Sequence, residues 1–539
     1  MTEDISPRLG IVVSGSLNKG LSVRLDGTVS VEDIVVGRYV VIAGQKQRFF
    51  GMLTDISLEA ADPAITFSPP DSTDPFAAEV LAGTGTYGLA HILPLLSIGS
   101  AALPEGGPQP VKTVPGHFSA VRLASQADVE LVFGPEDSKR FYIGTPLDME
   151  TKICLDLEEL VKRSNGIFGK SGTGKTFLTR LLLIGMLQKS KAVNLIFDMH
   201  NEYGWEGSSE RGHKVKALKQ FFPSKVAVFT LDEENSKARR VSTDFVVRIG
   251  YDELEPEDIA LLRETLGLTE PAVEAVYNFA RRFGRNWLAK VLALDDDQEI
   301  KDLLAELAIH EGTFQNLRRG LGTIRRLPFM VPQVTEKAVA RILEYLGRGI
   351  NVVLEFGRFR DVTAYVLVAN ILSRRVYDQY QRRMEEAMGA DSARPQPLVI
   401  TIEEAHKFLS PAVASQTIFG TIAREMRKYN VTLLVIDQRP SGIDEEVLSQ
   451  LGTKITCLLD NERDVDAVLA GVPGKSELKT VLSRLESRQQ ALIFGHAVPM
   501  PAPIKIREYG SAESYRGFVS GDRGEAKHQA QKDIEELWG

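Results

Sequence analysis

The chain has 539 residues, of which 43% are hydrophobic, and a formal net charge of −8. This length exceeds what one ordinary hydrophobic core organises, so we expect two or three packed units in a soluble globular protein. The negative charge provides no overall attraction to nucleic acid, so any polyanion contact has to come from a local basic surface. The only two cysteines, Cys154 and Cys457, form neither a disulfide framework nor a metal-ligand spacing, which favours a reducing compartment.

The N-terminal sequence MTEDISPRLG has neither the basic nor the apolar region of a secretory signal. No stretch reaches the roughly 18 apolar residues that span a bilayer. We therefore expect a cytoplasmic protein without a membrane segment.

Short β-rich runs separated by glycine-containing turns occupy about residues 8–58: IVVSG, LSVRLDG, YVVIAGQ and FFGMLTDISLE. This pattern is typical of a small barrel or sandwich. A segment rich in Pro, Asp and Ser follows, and further short strands continue to RFYIGTP near residue 145. We place a first domain at 1–145 and its boundary there.

From residue 146 to 510 the pattern changes to apolar strands that alternate with helices, which predicts an α/β core with a parallel sheet covered on both faces. The predicted strands include NGIFG, AVNLIFDM, KVAVFTL, INVVLEFG, PLVITIEE, VTLLVIDQ, TKITCLL and QQALIFG. Between about residues 251 and 347 the alternation gives way to helical periodicity, which predicts a helical insertion. Residues 511–539 form a polar, helix-prone C-terminal arm, which either docks on a neighbouring subunit or frays.

The segment GKSGTGKT matches the phosphate-loop pattern G-x-x-x-x-G-K-[S/T], and it follows an apolar strand and opens an apolar helix, as that pattern requires. Its glycines let backbone N–H groups and the helix N-terminus surround a phosphate. We predict that Lys175 contacts the β and γ phosphates of ATP and that Thr176 binds Mg²⁺. The predicted nucleotide-binding residues are Gly169, Lys170, Ser171, Gly172, Thr173, Gly174, Lys175, Thr176 and Phe177.

A second apolar strand, LVITIEEAH, ends in two carboxylates, at the edge where an open α/β sheet binds its ligands. We predict that Glu403 takes the metal-side role, which is usually filled by Asp, and that Glu404 orients and polarises the attacking water. Glu is one methylene longer than Asp but keeps the charge. An ordinary acidic helix cap after a buried strand is the alternative interpretation.

A third strand, VTLLVIDQRPSG, ends in Asp437, Gln438 and Arg439. Gln438 is our candidate for a polar sensor of the γ-phosphate, and the alternative is a simple turn opened by Asp and Pro. The run IFDMHNEYGW ends a further strand with Asp198, His200 and Glu202. We interpret His200, like His406, as a polar strand-end or surface residue and not as a metal ligand.

The succession of GIFGKSGTGKT, FDMHNEYG, IEEAH and AREMRKYNVTLLVIDQRPSGIDEEVLSQLGTKI resembles the HerA family of hexameric DNA translocases, relatives of FtsK. The β-rich N-terminus is similar to the small barrel of that family, so the resemblance covers roughly residues 8–510. It implies a RecA-like P-loop ATPase that forms a ring and moves along double-stranded DNA. It also implies an effector partner, either a nuclease of the NurA type or a sirtuin-like or nuclease effector in antiphage systems.

The resemblance assigns roles to residues of this sequence. The family's phosphate loop is matched by Lys175 and Thr176, its catalytic pair by Glu403 and Glu404, and its polar sensor by Gln438. The resemblance further implies an arginine that reaches a neighbour's nucleotide, with Arg427 and Arg163 as candidates; a surface ion pair is the alternative for each. Basic clusters in the helical insertion could contact DNA phosphates or simply be solvated: Arg281, Arg282, Arg285, Arg318, Arg319, Arg325 and Arg326.

Two functional hypotheses remain open from the sequence. The first is an ATP-dependent DNA translocase or helicase that feeds duplex ends to a nuclease, in DNA end processing or in antiphage defence. The second is an ATPase scaffold that assembles and regulates an effector with little translocation of its own. A conjugation or secretion coupling ATPase is less consistent with a chain that lacks an apolar span.

Overall fold

The computed structural model describes residues 7–67, 73, 76, 85–99, 107–208, 214–359, 361–389, 394–425, 428–511 and 513–518. These residues divide into two compact units. The first contains the described residues up to Leu160, then Ile167–Lys175 and Gly452–Glu508. The second contains Val161–Gly166, Thr176–Leu451 and the described residues from Tyr509 onwards. The domain boundaries predicted after residues 145 and 510 stay predictions.

Strands occur along most of the described chain. They are β1 (Arg8–Ser16), β2 (Gly20–Leu25), β3 (Tyr39–Ala43), β4 (Gln47–Ala60), β5 (Thr86–Gly99), β6 (Gln109–Pro110), β7 (Ala120–Leu123), β8 (Arg140–Thr145), β9 (Ile153–Asp156), β10 (Asn165–Phe168), β11 (Val193–Asp198), β12 (Gly207–Ser208), β13 (Lys214–Val215), β14 (Val226–Thr230), β15 (Phe245–Val246), β16 (Ile249–Gly250), β17 (Met330–Val331), β18 (Asn351–Glu355), β19 (Leu398–Glu403), β20 (Val431–Asp437), β21 (Thr453–Thr456), β22 (Gln490–Gly495) and β23 (Ala502–Ile506).

The described α-helices are concentrated after residue 156. They are α1 (Pro63–Phe67), α2 (Gln126–Phe133), α3 (Leu157–Val161), α4 (Lys175–Gln188), α5 (Leu218–Phe221), α6 (Glu233–Ala238), α7 (Pro256–Leu261), α8 (Glu270–Phe283), α9 (Trp287–Ala293), α10 (Asp297–Glu306), α11 (Glu311–Arg325), α12 (Ala338–Gly347), α13 (Val362–Gly389), α14 (His406–Leu409), α15 (Ile418–Arg424), α16 (Glu445–Gln450), α17 (Glu462–Val468) and α18 (Lys475–Ser483). Short 3-10 helices occur at Val31–Asp33, Tyr251–Glu253, Gly284–Asn286 and Pro440–Gly442.

The N-terminal part of the first unit is a β-barrel of six described strands. They follow the order β2, β1, β7, β3, β4 and β5, and pairing of β5 with β2 closes the barrel. In β2, Leu21, Val23 and Leu25 are buried while the residues between them are partly exposed, because successive side chains of a strand point to opposite faces. The small barrel predicted from the glycine-bounded runs is therefore confirmed.

The first unit also contains five strands outside the barrel. They pair antiparallel with one another, in the order β21, β22, β23, β8 and β9. The expectation of a parallel sheet is therefore wrong for β21 and β22, the two strands of this group that were predicted as part of it. β22 ends at Gly495 and β23 begins at Ala502, and the short connection between them suits a hairpin, whereas a parallel pair requires a crossover of a dozen or more residues.

The second unit contains the predicted parallel sheet, in the order β15, β14, β18, β11, β19 and β20. β11, β19 and β20 are buried along their whole length, as expected for strands covered on both faces. Four of these strands end in an acidic residue, so the carboxylates lie along one edge of the sheet: Asp198, Glu355, Glu403 and Asp437. Ligands bind at this edge in open α/β folds.

The predicted helical insertion is also confirmed, by helices α7 to α12. In α8 the buried residues Ala272, Ala275, Val276 and Phe279 follow the spacing of a helix with one apolar face. Trp287, at the start of α9, is buried and donates its indole N–H to the carbonyl of Leu254 at 3.0 Å.

None of the helices in the described part of the chain has the length and hydropathy needed to span a bilayer.

Candidate functional site

The phosphate loop connects β10 to α4, and the chain passes from the first unit to the second between Lys175 and Thr176. Gly169, Gly172 and Gly174 all have positive φ angles, of 154°, 79° and 94°. L-residues with side chains rarely adopt such angles, so the glycines are needed for this backbone path. A Cβ on Gly169 would also lie 2.8 Å from the Cβ of Cys457.

Polar contacts within the first unit fix the conformation of the phosphate loop. The carbonyl of Lys170 accepts from Thr173 Oγ1 and from Lys175 Nζ, each at 2.8 Å. Lys170 Nζ forms an ion pair with Asp460 at 2.9 Å. A Cβ on Gly174 would meet nothing within 4 Å, so the backbone there is open to a ligand. The loop therefore fits the phosphate chain of a nucleotide, with the ammonium of Lys175 beside the cradle.

Glu403 is the last residue of β19 in the second unit, and its side chain is buried. Its Oε1 accepts from the hydroxyl of Tyr203 at 2.8 Å, and among the described residues no group donates to its Oε2. Burial raises the pKa of the Glu403 carboxyl to about 8, and the neighbouring charge of Asp198 adds to this rise. A buried carboxyl whose second oxygen accepts no hydrogen bond fits the role of a metal ligand, because a bound cation contacts that oxygen and favours the ionised form.

Two tyrosines fix Glu403 and its backbone. The hydroxyl of Tyr365 accepts from the N–H of Glu403 at 3.0 Å and donates to its carbonyl at 3.1 Å. Tyr203 is held in turn by Asp198, whose carboxylate accepts from the N–H groups of Glu202, Tyr203 and Gly204 at 2.8, 2.7 and 3.3 Å. Asp198 therefore anchors the loop after β11.

Glu355 lies beside this loop at the end of β18 and is fully buried. It forms an ion pair with Arg239 at 2.6 Å. Burial raises the pKa of Glu355 to about 7, and the charge of Asp198 contributes. A Cβ on Gly204 would lie 2.6 Å from Glu355 Oε1, so a larger residue at that point of the loop would require the Glu355 carboxyl to move.

Glu404 follows Glu403 and has a φ of 50°, an unusual conformation for a residue with a side chain. Its carboxylate is partly exposed, and its Oε1 accepts from Gln438 Nε2 at 3.0 Å. The two residues follow adjacent parallel strands, β19 and β20. The structure therefore brings the predicted water-polarising carboxylate into contact with the predicted sensor.

His406 lies two residues beyond Glu404 and contacts Asp437. Its Nδ1 is 2.9 Å from Asp437 Oδ2 and 3.8 Å from Glu404 Oε2. The hydrogen bond to Asp437 raises the pKa of His406 above its ordinary value.

Among the described residues, no group of three or more His, Cys, Asp or Glu side chains has the arrangement of a metal site.

The remaining predicted residues lie at different places. Phe177, on α4, has its ring 5.6 Å from the ring of Tyr509. Arg163 lies in the turn between α3 and β10, where its carbonyl accepts from Asn165 Nδ2 at 2.7 Å. Arg427 lies outside the described residues. His200 is exposed at the end of β11.

Of the predicted set, the second unit brings together Glu403, Glu404 and Gln438. The loop up to Lys175 belongs to the first unit, and Thr176 and Phe177 belong to the second. Sequence reasoning did not assign the roles of Tyr203 and Tyr365. Tyr203 lies in the HNEYG run just after a predicted strand, so its position was a usable signal, whereas Tyr365 lies inside a long helix and carried none.

Two domain families match the sequence: "Helicase HerA, central domain" over residues 141–376 and "HAS barrel domain" over residues 9–92. The DNA double-strand break repair helicase HerA of Pyrococcus furiosus is 25% identical over 413 residues, which are 72% of this chain and 73% of that protein. The protein of the same name from Sulfolobus acidocaldarius is 25% identical over 404 residues, 74% of each chain. The solved plasmid coupling protein TrwB with ADP and Mg²⁺ has a TM-score of 0.45 at 11% identity, over 73% of this chain and 95% of that one.

The barrel, the parallel sheet and the glycine-rich loop define a P-loop ATPase with a small N-terminal β-barrel and a helical insertion. The chain is an ATP-hydrolysing enzyme of the helicase and translocase class. More particularly, its N-terminal barrel and its central domain match the HerA-family models, and the resemblance to that family predicted from its four motifs is confirmed.

Proposed function

We propose that this protein is a ring-shaped motor that uses ATP hydrolysis to move along double-stranded DNA. The observation that carries the proposal is the 3.0 Å hydrogen bond between Gln438 and Glu404 at the edge of the parallel sheet. It connects a carboxylate suited to water activation with an amide suited to γ-phosphate sensing. The curated relatives, which are named as DNA double-strand break repair helicases, support DNA as the track.

In the proposed reaction, Lys175 and the loop N–H groups neutralise the phosphates and Glu404 orients the attacking water. Thr176 and Glu403 would bind Mg²⁺, and this assignment is supported by the Oε2 of Glu403, to which no described residue donates a hydrogen bond. The ion supplies charge neutralisation on the transferred phosphoryl group. Gln438 then reports the loss of the γ-phosphate, because it contacts Glu404 directly.

A homohexameric ring is the proposed assembly. The edge of an open parallel sheet leaves a nucleotide accessible unless another chain covers it, and a head-to-tail ring provides that cover at every interface. The proposal includes an arginine supplied by the neighbouring subunit, Arg427 in the first place and Arg163 otherwise. Such a residue stabilises transition-state charge and is worth about 10³ to 10⁵ in rate.

The proposed partner is an effector that processes DNA, a nuclease of the NurA type or a sirtuin-like or nuclease effector of antiphage defence. We further propose that the motor acts in the cytoplasm. The names of the curated relatives, DNA double-strand break repair helicases, support a role in DNA break repair over one in antiphage defence.

The test compares Lys175→Ala with Glu404→Gln. Lys175→Ala is expected to weaken nucleotide binding, whereas Glu404→Gln leaves binding intact and stops turnover, because only water activation is removed. DNA should stimulate wild-type turnover equally with unrelated duplexes and less at higher salt. Wild-type hydrolysis by Glu404→Gln would contradict its catalytic role. Absence of stimulation by any DNA, with or without the effector, would favour the scaffold hypothesis.

A further inference from the structure

Asp437 forms a hydrogen-bonded junction between the ends of β19 and β20. Its buried carboxylate accepts from the backbone N–H of His406 at 2.6 Å and from His406 Nδ1 at 2.9 Å. Its other oxygen accepts from the N–H of Arg439 at 2.7 Å. One side chain therefore fixes the residue two positions after Glu404 and the residue directly after Gln438.

Glu404 lies within this junction in a strained conformation. The left-handed region is unfavourable for an L-residue with a side chain, and such a residue persists only where its surroundings over-determine it. On one side, Tyr365 fixes the backbone of Glu403. On the other side, Ala405 donates its N–H to the carbonyl of Ile436 at 3.3 Å, and His406 is bound to Asp437.

The Glu404 carboxylate lies between two side chains that the junction positions. Gln438 Nε2 donates to Oε1, and the imidazole of His406 faces Oε2 at 3.8 Å, which is too long for a hydrogen bond. The imidazole restricts the carboxylate through its position, and it does not replace the amide as a donor. A misplacement of a catalytic group by about 1 Å can cost about 10²-fold in rate.

We propose that His406 and Asp437 are positioning residues that hold Glu404 in the orientation required to activate water. This inference rests on the proposed catalytic role of Glu404. Neither residue acts on the nucleotide in this scheme. Their loss therefore lowers the rate of the chemical step and leaves nucleotide binding unchanged.

The first experiment measures steady-state ATP hydrolysis and nucleotide affinity for His406→Ala and His406→Asn. We expect His406→Ala to lower kcat by about 10- to 100-fold with KM and nucleotide Kd unchanged. His406→Asn should recover most of this loss, because its amide nitrogen can donate from near the position of Nδ1. His310→Ala is the matched control: His310 Nδ1 accepts from Gly312 N–H at 3.1 Å at the start of α11, and its loss should leave kcat unchanged.

The result that overturns the proposal is a wild-type kcat for His406→Ala, or a rise in nucleotide Kd that accounts for the loss of activity. Asp437→Asn provides a second variant, and its kcat should fall in the same way because the amide can accept only through one oxygen. If that variant fails to fold, His406→Ala and His406→Asn still decide the outcome.

The second experiment is a double-mutant cycle with Glu404→Gln, followed by single-turnover hydrolysis. If His406 acts through Glu404, His406→Ala should cause no further loss in the Glu404→Gln background. An equal loss in both backgrounds would overturn the positioning role while leaving the catalytic role of Glu404 intact. Full activity of Glu404→Gln alone would instead reject the catalytic role, so the two failures are distinguishable.

Discussion

Tyr203 is the residue whose single hydroxyl connects the loop after β11 to the proposed metal-side carboxylate. Tyr203→Phe removes the only donor to Glu403 Oε1 that the described residues provide. We expect the Mg²⁺ concentration for half-maximal ATP hydrolysis to rise by about 10-fold or more, as for other residues that orient a metal ligand. ATPase activity titrated with Mg²⁺ measures this shift.

Tyr377→Phe is the matched control, because Tyr377 also donates to a glutamate, Glu425, at 2.7 Å. That pair lies on α13 and after α15, away from the acidic strand ends. Its loss should leave the Mg²⁺ dependence as in the wild type. Equal Mg²⁺ curves for Tyr203→Phe and the wild type would reject the orienting role of Tyr203.

Lys454 provides a test of stability against pH in the first unit. Its ammonium is buried in β21 and donates to the carbonyl of Val468 at 3.0 Å, and burial lowers its pKa to about 8. Between about pH 8 and 10.5 the unfolded chain retains a proton that the folded chain has released, so the free energy of unfolding rises with pH. A shift of this size corresponds to a free energy on the order of 3 kcal/mol.

We therefore predict that the free energy of unfolding of the wild type increases relative to that of Lys454→Met as the pH rises through this interval. Below about pH 8 both folded and unfolded wild-type chains are protonated, so the difference between the two proteins becomes constant. Denaturant unfolding at several pH values measures it. Parallel curves from pH 7 to 10.5 would show that Lys454 keeps an ordinary pKa.

The parts of the site that could be predicted are those whose residues lie close together in the sequence or directly follow a recognisable strand. The phosphate loop is one continuous segment, and Glu403, Glu404 and Gln438 directly follow apolar strands, so their positions were readable. The contact of Tyr203 with Glu403 joins residues 200 positions apart, and no sequence period encodes it. The same holds for His406, which looked like a surface residue until its bond to Asp437 was seen.

At the scale of elements, helices α8 and α11 and the residues that directly follow them carry the basic clusters of the insertion. Two of the arginines are paired, Arg282 with Glu306 at 2.9 Å and Arg318 with Asp295 at 2.7 Å. The other five are exposed and have no acidic partner within the described chain: Arg281, Arg285, Arg319, Arg325 and Arg326. Exposed cations of this kind can neutralise DNA phosphates without reading sequence.

We predict that Arg281→Ala combined with Arg285→Ala weakens duplex binding and reduces the salt dependence of the binding constant. Each lost phosphate contact lowers the slope of log K against log salt by about 0.9, so two contacts should lower it by about 2. The control combines Arg282→Ala with Arg318→Ala, which removes the same number of charges. If both pairs reduce binding equally, general charge and not a defined contact explains the effect.

The elements themselves were predictable where a strand is buried on both faces. β11, β14, β18, β19 and β20 correspond to continuous apolar runs, which stand out from their surroundings. Strand direction was not readable in the same way, because an apolar run has the same composition in either type of sheet. The antiparallel strands β21 to β23 and the two-residue strand β15 were therefore misjudged or missed.

At the scale of the whole molecule, the proposed ring predicts active sites shared between subunits. Subunits carrying Glu404→Gln and subunits carrying Arg427→Ala are each expected to be inactive. In randomly mixed rings about a quarter of the interfaces would combine an intact carboxylate with an intact arginine, so activity should reappear. The measurement is ATP hydrolysis after the two proteins are dissociated, mixed and reassembled.

Absence of recovery in rings confirmed to be mixed would reject Arg427 as the residue supplied in trans. The same mixing experiment with Arg163→Ala then tests the second candidate. Unmixed rings of each variant, taken through the same dissociation and reassembly, serve as the control for damage during handling.

The interleaved path of the chain through its two units has a consequence during synthesis on the ribosome. Strands β8 and β9 emerge early, but β21, β22 and β23, which belong to the same unit, follow only after Gly452. At about 5 to 20 residues per second, the 277 residues from Lys175 to Gly452 take roughly 14 to 55 s to translate. For that time the strand edge of β8 has no partner, so a nascent chain stalled before residue 452 should bind chaperones more strongly than one stalled after residue 508.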